Sequence, residues 1–340
     1  MSISERKHAS ASIHVRPFAD DDYAAAVEVT NRTFPDAPST IAEWRFEDTH
    51  WDTTKYLRQR YVAFEYTSGQ VLGYGGFWQI PWNFHPHKFS MNIRVHPDAR
   101  HRGVGTRLWE HMLEVLRTHN AVAVRTMVRE DIPEGTQFVQ RRGFREVMRV
   151  WESRLDVGSC DLTDYQALRD RVAASGVTIT TLATERSRDS ECLQRLYALH
   201  CAIGEDIPSP DRFTPPDYQL FFTYVVESPS ALADAHFIAV SGREYVGVSN
   251  LAKPELGDWY IQNTTGVARA YRGRGIATAL KVQTVAYAQA RGIREIRTWN
   301  EVRNTGILAI NAQLGFVRQP AWVTYLKEFA ATDGRSAAST

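Results

Sequence analysis

The feature that most restricts the fold of this chain is a repeat. The stretch "DARHRGVGTRL", Asp98–Leu108, and the stretch "ARAYRGRGIATAL", Ala268–Leu280, share arginines and glycines followed by an apolar run. Arg100 aligns with Arg272, Gly103 with Gly275, Gly105 with Ala277, Thr106 with Thr278 and Leu108 with Leu280, every pair 172 positions apart. The same offset carries Thr126 onto Thr298 and Gly143-Phe144 onto Gly315-Phe316. A register held from Arg100 to Phe144 without insertion is the signature of a duplicated domain, not of a short-period solenoid. A length of 340 residues suits two domains of roughly 150 each. The expected layout is one domain over 11–155, a linker over 156–177 and a second domain over 178–330.

Both copies read in the same order. Each opens with a strand, "IHVRPF" or "TITTL", and a helix around Asp22–Thr30 or Ser190–His200. A hairpin follows, "YVAFEYTSGQVLGYGGFW" or "HFIAVSGREYVGVSNL", because β-rich runs flank a short polar turn. A further strand, "FSMNIRV" or "WYIQNTTGV", leads into the glycine motif. After the motif, Leu108, Met112, Val115 and Leu116 recur at i, i+4, i+7 and i+8, which places them on one helix face. In the second copy Ile276, Leu280, Val282, Val285 and Ala286 make a broader apolar surface. A strand, a helix and a final β pair complete each copy, and the linker reads mostly as a short amphipathic helix. The fold class is therefore α/β (α+β): two tandem domains, each a mixed, mostly antiparallel sheet flanked by helices.

The glycine motif sits between a strand and a helix. The first amides of a helix lack intrahelical partners and lie at the positive end of its dipole, so an anion placed there finds several donors. Glycine lets a ligand approach the backbone closely, and Arg272 and Arg274 can add charge-assisted hydrogen bonds. A surface turn with a helix cap is the alternative for either copy alone; the repetition favours an anion site. The Walker spacing GxxxxGK[ST] is absent. A dinucleotide fingerprint would follow the first strand of a βαβ unit, and Thr278 stands where its third glycine belongs.

Arg-x-x-Gly-x-Gly/Ala at the head of a helix resembles the acyl-CoA motif of the GNAT superfamily of N-acetyltransferases. "RTWNEVRNTGILAINAQLGF", Arg297–Phe316, matches a pattern common there. The resemblance covers both copies, and the layout is similar to that of the tandem, mycothiol synthase-like acetyltransferases. It implies a central mixed sheet whose fourth and fifth strands splay apart around a pantetheine arm, with acetyl-CoA as the cofactor. Carried over by position, Arg272, Gly273, Arg274, Gly275, Ile276, Ala277 and Thr278 would hold the diphosphate, and Val267, Ala268 and Arg269 the pantetheine. Asn304 and Asn311 would bond the pantetheine and the adenosine-side arm. The first-copy counterparts are Val95, Arg100, Arg102, Gly103, Val104, Gly105 and Thr106.

The reaction so implied is acyl transfer to the primary amine of a small molecule by direct attack in a ternary complex. The tyrosine that many members place four residues before the Gly-Phe pair as general acid is here Asn311 or Val139. Tyr325, in the last strand, is the substitute acid, and Glu205 and Asp206, in the loop "GEDIPSP", are the base candidates. At the 172 offset Asn300, Asn304 and Asn311 become Val128, Ile132 and Val139. The expectation is that the second copy catalyses and the first is degenerate. A non-catalytic acyl-CoA-binding or regulatory protein, and a protein-lysine acetyltransferase, are the rival readings.

Bulk properties narrow the partners. A formal net charge of +1 argues against a general nucleic-acid binder. Three cysteines without a CxxC pair suit a reducing, cytoplasmic setting. The start "MSISERKHASAS" has no apolar signal-like core, no run of 18 apolar residues suggests a membrane span, and the tail "ATDGRSAAST" is expected to fray. His85-x-His87 has no evident third ligand, so no metal is expected and the aromatic loop around it reads as packing. A monomer or a homodimer is expected.

Overall fold

The computed structural model describes residues 12–329. The polar start, the tail and the end residues 11 and 330 of the two expected domains lie outside them. The chain divides into two compact units, Met1–Val147 with Val323–Thr340, and Met148–Trp322.

The first unit runs β1 (Ile13–Pro17), α1 (Tyr23–Thr33), α2 (Ile41–Thr49), β2 (Arg58–Glu65), β3 (Val71–Trp78), β4 (Lys88–Val95), α3 (Val104–Thr118), β5 (Ala123–Arg129) and α4 (Pro133–Gln140). Its strands lie in the order β1-β2-β3-β4-β5. All pairings are antiparallel except β4–β5, which is parallel. Strand alternation splits the core into two layers. On β2, Tyr61 and Ala63 face the cluster built on Leu108, Met112 and Leu116 of α3, while Val62 faces Ala26 and Val29 of α1. The i, i+4, i+8 spacing of those three α3 residues brings all of them to full burial, each contributing roughly 1.5–3 kcal/mol.

The second unit holds most of β6 (Arg145–Asp156), then α5 (Gln166–Ala174), β7 (Val177–Thr181), α6 (Leu182–Arg188), α7 (Cys192–Gly204), α8 (Tyr218–Phe221), β8 (Ala231–Ser241), β9 (Glu244–Ala252), β10 (Trp259–Val267), α9 (Ile276–Ala290), β11 (Glu295–Glu301), α10 (Thr305–Gln313) and the start of β12 (Val317–Glu328). The order is β6-β11-β10-β9-β8-β7, with β10–β11 parallel. On β8, Phe237 and Ala239 face α9 and Ile238 faces α7.

The end of each copy differs from the expected β pair. A single long strand follows the last helix, β6 in one copy and β12 in the other, and these two strands stand at the 172 offset. In the first unit the place beside β5 is taken by β12, whose residues from Val323 onward belong to that unit. In the second unit the place beside β11 is taken by β6, in register from Glu295↔Asp156 to Glu301↔Val150. The linker forms 3-10 turns and then α5.

Candidate functional site: two cradles, one open

In the first unit β4 and β5 pair only over Lys88–Ser90 and Ala123–Arg125. Beyond Ser90 the strands part, although β4 stays paired to β3 as far as Val95. The gap opens a cavity of about 590 Å³. Met91 to Val95 of β4 and Thr126 to Arg129 of β5 flank it, apart from Asn92, and the start of α3 closes one end. Gly103 caps α3 at φ 92, a left-handed conformation that glycine adopts without cost. The amides that follow it begin the helix with no side-chain cap. Arg100, Arg141 and Arg142 stand around this end. Arg142 donates to the Phe138 carbonyl at 3.0 Å and to Thr106 Oγ1 at 2.9 Å, and its guanidinium lies 3.5 Å from the Phe138 ring centroid. Its Nε is buried without a hydrogen-bond partner, and burial draws its pKa below the usual arginine range. A helix start, a buried donor in want of an acceptor and two exposed arginines are chemistry suited to an anion.

The first-copy residues expected at the cofactor fall together there. Val95, Arg100, Gly103, Val104, Gly105 and Thr106 all line the cavity. Arg102 does not; it turns to Glu65 at 2.7 Å. Trp109, Phe138, Arg142 and Arg94 also line the cavity and were not singled out from the sequence. For Arg142 the signal was present in "RRGF", directly before the glycine that ends the motif region.

The second copy repeats the backbone, but its helix start is covered. Gly275 caps α9 at φ 78. A Cβ placed on it would lie 2.5 Å from Leu168 Cδ1, so the space that glycine leaves open is filled by a side chain of α5. Tyr165, one turn earlier, donates its hydroxyl to the Gln313 carbonyl at 3.1 Å, and Leu162, Tyr165 and Leu168 pack on the same core cluster as Ala277 and Ile310. The linker therefore lies over the start of α9 and the end of α10. Ile276 is in the core, Ala277 and Thr278 are half-buried, and Gly273 takes φ 75.

The arginines of this copy are committed elsewhere. Arg272 donates from Nε to the Val267 carbonyl at 2.9 Å and from Nη2 to Asp206. Arg269 binds Asp206 through Nε at 2.9 and 3.0 Å, and Arg274 donates to the Ala270 carbonyl at 3.0 Å. Ala268 N–H is taken by the Val246 carbonyl. The hydrogen bond from Arg269 holds the Asp206 carboxyl below the usual carboxylate range, assisted by Arg272. A carboxylate clamped between two guanidiniums is a poor proton acceptor, which corrects the assignment of Asp206 as a base. Glu205 is exposed at the end of α7.

The remaining expected residues separate. Asn304 caps α10 at the helix entry, its Oδ1 accepting from Ile307 N–H at 3.5 Å. Asn311 is 2% exposed, donates to Asn300 Oδ1 at 2.7 Å and leaves its own Oδ1 without a partner. Tyr325 lies in the core of the first unit with Phe89, Phe144 and Val323, because the end of β12 belongs to that unit; it does not join the second copy's motif. One polar residue of the second copy went unmarked in the sequence. Lys281 on α9 is fully buried, its Nζ has no hydrogen-bond partner and sits 4.8 Å from the Phe316 ring centroid, and burial pushes its pKa down to about 7. At the 172 offset it corresponds to Trp109, as Asn311 does to Val139, both of which line the open cavity. His85 Nδ1 meets the backbone N–H of His87 at 3.1 Å within the aromatic loop.

Comparison with known proteins agrees with this architecture. The model of the acetyltransferase (GNAT) family matches residues 23–144 and 183–316. A mycothiol acetyltransferase of Amycolatopsis mediterranei (strain U-32) is 26% identical over 263 residues, covering 76% of this chain and 81% of that protein. One of Rhodococcus erythropolis (strain PR4 / NBRC 100887) is 25% identical over 258 residues, covering 73% and 78%. Among solved structures, a tandem GNAT protein from the clavulanic acid biosynthesis pathway superposes with a TM-score of 0.73 at 20% identity, over 94% of this chain and all of that one. A GCN5-related N-acetyltransferase from Sphaerobacter thermophilus gives 0.66 at 20% identity, over 93% and 96%. No helix among the described residues is long and apolar enough to cross a membrane. With two family regions spanning most of its length, the chain belongs to the acetyltransferase (GNAT) family and is an N-acetyltransferase that carries this domain twice.

Proposed function

We propose that the chain transfers the acetyl group of acetyl-CoA to the primary amine of a small molecule, by direct attack in a ternary complex, and that the coenzyme is held in the cavity of the first copy. The observation that carries this reading is the 590 Å³ gap between β4 and β5, open at the start of α3, set against the Leu168 side chain packed on the corresponding glycine of the second copy. This reading is the reverse of the expectation drawn from the asparagine set. Relatives named mycothiol acetyltransferase support an acetyl donor and a small acceptor here.

Acetyl-CoA, when bound, supplies an acyl thioester. The α3 amides, Arg100 and Arg142 suit its diphosphate. The β5-facing edge of β4 beyond Ser90, free of strand pairing, offers main-chain donors to a carbonyl placed in the gap. One lost donor in such a role typically costs about 3 kcal/mol of transition-state stabilisation. The C–N bond then forms as the C–S bond breaks, the amine's proton passing to water and the departing thiolate taking one up.

The test pairs two substitutions at the 172 offset, Gly105→Glu and Ala277→Glu, each placing a carboxylate one residue inside a helix start. Stabilisation by acetyl-CoA and thiol release with a panel of amines are measured for both. Gly105→Glu is expected to abolish both signals and Ala277→Glu to keep them. The opposite result returns catalysis to the second copy. Stabilisation with no thiol release from any amine would favour the non-catalytic binder, and release with lysine peptides alone the protein acetyltransferase.

A further inference from the structure

The cavity of the first copy has a second basic end that the coenzyme does not explain. Met91, Ile93 and Val95 of β4 pack toward α3, so strand alternation turns Arg94 to the opposite face, toward α1. There it joins Thr33 and Phe34, at and just past the end of α1, and all three line the cavity. The Arg94 guanidinium lies 4.8 Å from the Phe34 ring centroid. Its hydrogen bonding among the described residues is a single donation, Nη1 to the Ile93 carbonyl at 3.2 Å. No described carboxylate pairs with it. The contrast with Arg129, on the same ring at 5.4 Å, is direct: Arg129 engages Asp131 at 2.7 Å and Asp36 at 3.2 Å. Those two acids balance both arginines in number, but each is directed at Arg129. Arg94 is left with a planar fork of donors facing a cavity, stacked on an aromatic ring that fixes its plane.

We propose that Arg94 is a specificity residue for the acceptor, and that the acceptor is an amine bearing a carboxylate, of the amino-acid class. The carboxylate takes the Arg94 fork on the α1 face, and the amine points into the strand gap. This inference rests on the assignment of the reaction to the first copy. The carboxylate could instead belong to the acyl group; the position of Arg94, across the sheet from the diphosphate end, favours the acceptor.

The experiment uses the full chain with acetyl-CoA, the twenty standard amino acids and their methyl esters, and thiol release as the readout. At least one amino acid is expected to exceed its ester by on the order of tenfold or more in kcat/KM. Arg94→Gln is expected to raise KM for that amino acid about 10- to 100-fold while leaving its ester and the KM for acetyl-CoA unchanged, and Arg94→Lys to restore part of the loss. Equal use of acids and esters, or an equal loss on both in Arg94→Gln, overturns the proposal. So does an Arg94-dependent preference that appears only with succinyl-CoA in place of acetyl-CoA. Calorimetric titration of the amino acids into the CoA-saturated protein is a readout independent of turnover. If no amine releases thiol, the assigned reaction fails. Arg94-dependent binding of acids over esters would then still uphold the carboxylate site, and its absence would refute it.

Discussion

The packing of Leu168 on Gly275 can be measured as a coupling energy. Gly275 holds φ at 78, and a methyl group added there would stand 2.5 Å from Leu168 Cδ1. Gly275→Ala therefore carries two costs. Forcing a non-glycine residue into the left-handed region costs roughly 1–2 kcal/mol, and overpacking against Leu168 adds about 1–3 kcal/mol. Leu168→Ala removes a half-buried side chain from the cluster around Ile276 and Leu280, a loss of about 2 kcal/mol. In the double variant the overpacking vanishes and only the backbone part of the glycine substitution remains. The double variant should thus be more stable than the sum of the singles by about 1–3 kcal/mol. Urea unfolding followed by tryptophan fluorescence gives the three free energies. Additivity within about 0.5 kcal/mol would show that Leu168 does not rest on the glycine. The argument that the second cradle is covered would fall with it.

Three further outcomes are expected. His236 is buried and His200 half-buried, with ring centroids 5.9 Å apart, and desolvation lowers the pKa of His200 to about 4 and that of His236 to about 3, the neighbouring His200 adding to the shift on His236. The unfolded chain takes up protons on both below pH 6.5 while the folded chain stays neutral, so stability falls as pH drops from 6.5 toward 4, by up to about 1.4 kcal/mol per pH unit for each; His236→Phe should flatten that acid limb in chemical denaturation. Lys281 carries the same sign over a higher window: its folded pKa of about 7 lies below 10.5, so stability rises from pH 7 toward 10, and Lys281→Met should raise the midpoint of unfolding at pH 7 and remove that rise. A fragment ending at residue 155 lacks the strand beside β5 and loses Val323 and Tyr325 from the first core, so it should show no cooperative unfolding by circular dichroism, whereas the full chain should.

The elements were legible because their signals are local. The α3 face of Leu108, Met112 and Leu116, the two hairpins and the strands before each glycine motif all follow from periodicity and turn chemistry, and the structure places them within a few residues of expectation. The exchange of β6 and β12 was not legible. The two strands occupy the same position in each copy, so both suit either neighbour, and pattern alone cannot choose between β5 and β11. Tyr325 was assigned to the wrong neighbourhood for that reason. Asp206 was misread for another: a loop carboxylate after a helix looks solvated until Arg269 and Arg272, more than sixty positions away, are folded against it.

The same limit explains why sequence alone ranks the second cradle above the first. Sequence comparison weighs the polar residues that a ligand would touch, and the second copy keeps Asn300, Asn304 and Asn311 where the first has Val128, Ile132 and Val139. A binding site also needs volume, and volume is set by what is packed into the gap. Apolar Val128, Ile132 and Val139 still line an open cavity, while the asparagines are drawn into protein contacts: Asn304 into a helix cap and Asn311 onto Asn300. The residue on which the proposed reversal rests, Leu168, belongs to neither motif and sits in a polar linker with no mark of function. Two buried polar atoms, Lys281 Nζ and Asn311 Oδ1, nevertheless lack partners in the second copy, at positions whose counterparts face the first copy's cavity. Leaving such atoms unsatisfied costs roughly 1–3 kcal/mol each, a penalty that the apolar residues of the first copy avoid. The duplicated domain has thus diverged: the first copy's cavity carries an apolar lining at these positions, and the second keeps the polar residues, with the linker packed over its helix start.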